Sequence, residues 1–170
     1  MATLGVSIAV PEPWGPQLQD YRVALGDVAA REIPTHITLL PPYDASAAER
    51  EALEAHLATV AAASAPFQVR LRGTGTFRPV SPVVFVNVVK GISECEQLSA
   101  RVNAGPFAPE THFPYHPHVT VAHDVGEVEM DRAFDELAEF ACDFEVAGFH
   151  LYDYVDGVGW QEARWFALGE

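Results

Sequence analysis

One four-residue figure occurs twice in this chain. His36-Ile37-Thr38-Leu39 lies within "PTHITLLPPY" (34–43), and His118-Val119-Thr120-Val121 lies within "HPHVTVAH" (116–123), 82 positions later. Side chains alternate faces along a strand, so each figure sends its histidine and threonine to one face and its two apolar residues to the other. One such strand is an ordinary surface arrangement, a histidine beside a β-favouring threonine, and two copies are harder to dismiss. Two such strands, each leading an equivalent half of the chain, predict an internal duplication into two αβ lobes. The period is too long and the copies too few for a solenoid.

The rest of the chain follows the same plan twice. Residues 3–10 alternate loosely and predict a strand ending at Pro11, and the stretch from Gly15 to Ala30 is weakly helical. The His36–Leu40 strand is expected to stop at Pro41-Pro42. Ser46-Ala-Ala-Glu49 has the form of a capping box opening a helix to about Ala63. Strands are expected over 67–77 and 83–89, with a helix from Ser93 to about Ala104. The second half continues with the His118–Ala122 strand, an acidic helix over 127–140, one long strand over 144–154 and a last strand over 163–168. The chain is read as a single domain over 1–170, with lobes of about 1–90 and 91–170 and exchange of terminal strands between them as an option.

Charge narrows the partners. Acidic residues outnumber basic ones 24 to 10, for a formal charge of −14, and Lys90 is the only lysine. Such a surface repels a long polyanion, so tight binding to long nucleic acid is not expected, while a small nucleotide or the end of an RNA chain is. No apolar run approaches the roughly 20 residues of a membrane-spanning helix, and no membrane partner is expected. The start, "MATLGVSIAV", fits a first strand better than a signal peptide. Cys95 and Cys142 form no disulfide or zinc pattern, which suits a cytoplasmic protein. Nothing in the sequence points to an oligomeric state.

An imidazole and a hydroxyl about 6.5–7 Å apart on one strand face can both reach one tetrahedral anion. Two such pairs supply what in-line phosphodiester chemistry requires. One neutral histidine accepts a proton from the attacking water or hydroxyl, and one protonated histidine donates to the leaving oxygen. The threonines hold the phosphoryl oxygens. The scheme needs neither metal nor other cofactor.

"HITL" and "HVTV", with the flanks "PTHITLLPPY" and "FPYHPHVTVAH", resemble the paired signature motifs of the 2H phosphoesterases, the group that includes the 2′-5′ RNA ligase-like proteins. The resemblance covers essentially the whole chain. It implies a bilobal α+β fold, with antiparallel sheets around a central cleft. It also implies metal-independent cyclic phosphodiesterase activity on 2′,3′-cyclic phosphate ends. By motif position His36 and His118 are the acid/base pair, and Thr38 and Thr120 bind phosphate.

Further candidates surround the motifs. Arg78, beside Phe77 at a turn, is the best placed arginine for a second phosphate contact, whereas Arg70 and Arg72 fit a solvated strand face. Tyr43, Phe77, Phe113, Tyr115 and Trp160 could stack on a nucleobase, with Tyr43 and Tyr115 the substrate-binding candidates. His56, on an exposed helix, has no expected role. Two alternatives compete. A binding module could hold a nucleotide without turnover, though it could lose either imidazole cheaply and here both are kept. A metal-dependent hydrolase could use His112, His116, His118 and His123, although Pro117 interrupts them and no acidic or thiol ligand accompanies them.

Overall fold

The computed structural model describes residues 1–105 and 114–169. In chain order these form β1 (Ala2–Ala9), α1 (Trp14–Leu25), a 3-10 turn (Val28–Glu32), β2 (His36–Ala45), α2 (Ala47–Ala62), β3 (Phe67–Thr76), β4 (Val83–Lys90), α3 (Ile92–Asn103), β5 (His118–His123), α4 (Glu127–Glu136), β6 (Ala141–Val146), β7 (Gly148–Val155) and β8 (Gly159–Ala167). The fold is α+β with two four-stranded antiparallel sheets, ordered β2-β1-β7-β8 and β5-β4-β3-β6. The motif strands β2 and β5 are edge strands, one in each sheet.

Local chemistry sets the start of α2. Ser46 accepts a hydrogen bond from the Glu49 amide at 3.2 Å, capping α2 as the capping-box pattern predicts. That helix buries Leu53, Leu57, Val60 and Ala61, spaced to lie on one helical face. In the first sheet, Leu4, Val6, Ile8, Ile37, Leu39, Phe149 and Leu151 are fully buried, and the residues between them on β1 and β2 point to the opposite face. Val84, Val86, Val119 and Val121 play the same part in the second sheet.

Four expectations are corrected. β2 does not stop at Pro41-Pro42 but runs to Ala45. Register shifts where Leu4 pairs with Tyr43 and Val6 with Leu40, so Gly5 faces both prolines across a bulge. Proline is tolerated there because an edge strand has no second neighbour demanding its amide. The expected single strand over 144–154 is two strands. β6 pairs with β3 in one sheet and β7 with β1 in the other, with Ala147 between them. Alternation continues almost unbroken through the crossover, so periodicity carries no mark of the change of sheet. The acidic helix ends at Glu136, and the last strand begins at Gly159. One sheet takes residues 2–45 and 148–167, the other 67–146.

The outer edge of β2 is closed by the other half of the chain. Ser99 Oγ and Asn103 Nδ2 on α3 each donate to the Leu39 carbonyl at 2.9 Å, and the Tyr115 hydroxyl donates to the Thr38 carbonyl at 2.8 Å. Side chains thus replace a missing neighbour strand, satisfying carbonyls that would otherwise stay open.

Candidate active site

β2 and β5 run beside one another, so the two motifs meet at the seam between the sheets. Ile37, Leu39, Val119 and Val121 are at most 1% exposed. The intervening His36, Thr38, His118 and Thr120 are half-buried on the opposite face. The alternation read in the sequence is therefore the alternation found.

The two imidazoles are held alike. His36 Nδ1 lies 2.7 Å from the Pro34 carbonyl, and His118 Nδ1 lies 2.7 Å from the His116 carbonyl. A carbonyl oxygen only accepts, so in each ring Nδ1 carries the hydrogen and Nε2 is the nitrogen left to exchange a proton. Burial lowers the pKa of His36 below the ordinary histidine value, against the carbonyl bond, with the Arg22 charge adding to the lowering. Burial lowers that of His118 too, and the neighbouring imidazoles of His116 and His36 act in the same direction. Each ring thus favours its neutral form in the free protein. A bound phosphate anion would reverse that preference.

The surroundings of the two motifs differ. Ser7 of β1 pairs with Thr38, and His150 of β7 pairs with Ser7. His36 and Thr38 open on a pocket of about 110 Å³ lined also by Gly5, Ser7, Ile33, Pro34, Tyr152 and Trp160. On the other side, Phe85 pairs with Thr120 and Gly75 with Phe85. There His118 is packed edge-on by Phe77 at 5.0 Å and Phe85 at 5.3 Å between ring centroids, and His116 stacks at 6.2 Å. A Cβ at Gly75 would stand 2.7 Å from the Phe85 ring, so glycine is what lets that ring lie down.

The secondary candidates each contact other parts of the protein. Arg78 donates from Nη1 to Glu127 at 3.1 Å and Asp131 at 2.9 Å, and from Nε to Thr76 Oγ1, so its charge is offset by α4. The Tyr115 hydroxyl is committed to the Thr38 carbonyl and joins the two halves. Tyr43 packs partly against the core and does not line the pocket beside His36. Arg70 pairs with Asp143 on an exposed strand face and Arg72 is exposed, both as expected.

Of the four clustered histidines, His116 and His118 stack at 6.2 Å between ring centroids, whereas His123 is remote from them. His123 ends β5, five residues beyond His118 and thus about 17 Å away at ~3.4 Å per residue, and it faces Asp124. His112 and Phe113 lie outside the described residues, and among the described residues no group of three possible metal ligands converges. Gly5, Ser7, Tyr152 and His150 were not anticipated. They come from β1 and β7, remote in sequence from the motifs. Ser7 alone left a trace, as a hydroxyl in the otherwise apolar run "LGVSIAV".

Residues 10–158 match the family model of the 2′-5′ RNA ligase superfamily. Proteins of Bacillus cereus strain B4264 and Bacillus thuringiensis strain Al Hakam, both provisionally named phosphoesterases, are 27% and 26% identical over 140 residues, covering 81% of this chain and 81% of each relative. Among solved structures, Escherichia coli LigT complexed with NADP+ superposes with a TM-score of 0.70 at 19% identity, covering 99% of both chains. LigT complexed with 3′-AMP gives 0.67 at 21% identity, again covering 99% of both. The Thermus thermophilus protein TT0787 gives 0.66 at 21% identity and 99% coverage of both. The chain belongs to the 2′-5′ RNA ligase superfamily and is a phosphodiesterase of the 2H type.

Proposed function

We propose that this protein opens a 2′,3′-cyclic phosphate on a nucleotide or an RNA end by metal-independent hydrolysis. One observation carries the reading: His36 and His118, on adjoining edge strands, make the same Nδ1–H bond to the carbonyl two residues before them, leaving two equivalent Nε2 atoms free. Water attacks phosphorus while one neutral Nε2 accepts its proton. The phosphorus–oxygen bond to one ribose oxygen breaks, and that oxygen takes a proton from the other, protonated Nε2. The product is a phosphate monoester with a free neighbouring hydroxyl. Thr38 and Thr120 donate to the non-bridging oxygens as charge gathers there.

The charge that protonates one ring comes from the substrate. Both pKa values are lowered in the free protein, and an anionic phosphodiester between the rings raises them. The LigT structures, which hold small nucleotides, support a ligand of that size, as does the −14 formal charge.

The experiment is turnover of the four nucleoside 2′,3′-cyclic phosphates and a cyclic-ended oligoribonucleotide, with and without EDTA. Hydrolysis that survives chelation is the expected result. Binding without turnover would leave a binding module, and activity abolished by EDTA and restored by a divalent metal would overturn the proton-relay scheme.

A further inference from the structure

We infer that Ser7 is a further binding residue of the proposed site: His150, backed by Glu162, takes the hydrogen of the Ser7 hydroxyl, and the Ser7 oxygen then accepts a hydrogen bond from a ribose hydroxyl of the bound nucleotide. This rests on the proposed site, which it deepens by naming a residue that reads the sugar.

A row of polar side chains crosses three strands of the first sheet. Thr38 of β2 pairs with Ser7 of β1, and Ser7 pairs in turn with His150 of β7. Directly paired residues of an antiparallel ladder put their side chains on one face, with Cβ atoms about 4.5–5.5 Å apart. Ser7 therefore stands between the first motif's threonine and an imidazole that neither motif contains. It also lines the pocket onto which His36 and Thr38 open.

His150 carries an unsatisfied nitrogen. Its ring is packed by Trp165 at 4.7 Å and Tyr152 at 5.6 Å between centroids. Nδ1 is buried without a hydrogen-bond partner among the described residues. Nε2, on the other side of the ring, lies 3.7 Å from Glu162 Oε2. A carboxylate only accepts, so Glu162 favours the tautomer with its hydrogen on Nε2. Burial lowers the pKa of His150, against the Glu162 charge, and so favours the neutral ring. Nδ1 is then a buried lone pair, which costs free energy until a donor is supplied. The hydroxyl of the directly paired Ser7 can turn toward it by rotation about one bond.

The direction of that bond selects the ligand group. A serine hydroxyl has one hydrogen and two lone pairs. With the hydrogen given to His150, Ser7 offers the pocket lone pairs alone, whereas Thr38 keeps a hydrogen for a phosphoryl oxygen. An oxygen that only accepts is unsuited to a phosphoryl oxygen and suited to a hydroxyl. The nucleotide brings such a group beside its phosphate: the ribose hydroxyl left free when the cyclic ester opens. No Lys, Arg, Asp or Glu lines this pocket among the described residues, so no charged group competes for that hydroxyl.

The test is calorimetric binding to the full chain, expressed as a ratio of affinities within two ligand pairs. One pair is adenosine 3′-monophosphate and its 2′-deoxy analogue; the other is adenosine 2′-monophosphate and its 3′-deoxy analogue. In at least one pair the wild type should favour the ribose form by about 2- to 12-fold, the range for one hydrogen bond. Ser7→Ala should bring that ratio to near one. His150→Ala should lower it, and His150→Asn, whose side-chain oxygen can stand where Nδ1 stands, should retain most of it. Wild-type ratios near one in both pairs, or a ratio unchanged in folded Ser7→Ala or His150→Ala, would overturn the assignment. A ratio lost equally in His150→Ala and His150→Asn would make His150 a packing residue and overturn the relay. A wild type that shows the ratio but hydrolyses no cyclic phosphate would overturn the proposed reaction and leave the Ser7 contact standing.

Discussion

The two halves of the site share a backbone device and differ in nearly everything around it. Each motif histidine is held by the carbonyl two residues before it, and each threonine sits two residues after. Around the first motif stand Ser7, Gly5, Tyr152 and Trp160, enclosing space. Around the second stand Phe77, Phe85 and His116, with their rings packed on that of His118. The parts to which proton transfer is proposed are thus alike, and the residues around them are not.

The largest expected effect tests the shared part. Replacing His36 or His118 with Ala should each lower the turnover number by about 10²–10⁴, and the double variant should be little worse than the poorer single one, because the pair acts as a unit. A folded His118→Ala protein with unchanged turnover would break the equivalence of the halves. Thr38→Ala and Thr120→Ala should follow, at up to about 10²–10³ each, since each removes one donor to the phosphoryl group. Steady-state kinetics on the best substrate measures all five variants.

The next prediction sharpens the difference between the halves. Gly75→Ala forces a methyl group against the Phe85 ring and should cost about 1–3 kcal/mol of stability, the usual range for overpacking. His150, the equivalent neighbour in the first sheet, already bears a large side chain beside Ser7. Denaturant unfolding of Gly75→Ala gives the number. A cost near zero would mean that the second half is not tightly filled.

Titration gives a smaller effect with a definite sign. Both motif histidines have folded pKa values below the unfolded value, so the unfolded chain takes up protons first as pH falls. Stability should be complete above about pH 6.5 and should decline as pH drops below it. Inorganic phosphate, by favouring the charged rings, should oppose that decline. Melting temperatures at pH 7.5 and 5.5, with and without phosphate, test both statements, and the pH dependence should shrink in His36→Ala and His118→Ala. Turnover should follow a bell in pH, and its optimum should lie higher for kcat than for kcat/KM because bound substrate raises both pKa values.

The smallest effect concerns a histidine outside the site. His56 Nε2 bonds the Arg101 carbonyl at 2.9 Å and so ties α2 to the end of α3. The sequence alone marked it as an inert position on an exposed helix. His56→Ala should instead cost about 0.5–1.5 kcal/mol in unfolding free energy while leaving kinetics unchanged.

What was legible in the sequence was legible for a local reason. Alternation at His36–Leu39 and His118–Val121 dictated which side chains face inward, because strand geometry acts over two residues. The Ser46 cap and the buried face of α2 followed from helix geometry over three or four. The family followed from two short motifs and their repetition. The sequence could not show where β6 gives way to β7, since a strand keeps its alternation while changing partners. Nor could it show that Arg78 would spend its charge on Glu127 and Asp131, or that Tyr115 would close the edge of β2. Those contacts join residues 49, 53 and 77 positions apart. The pocket beside His36 depends on the same long reach, with Gly5 and Ser7 from the first strand meeting Tyr152 and Trp160 from the last two. Local backbone geometry, then, determined which residues of each motif share a face. The pocket beside the first motif came only from the pairing of β1 with β7 and of β7 with β8, because strand pairing is settled by the packing of the whole core and not by any one segment.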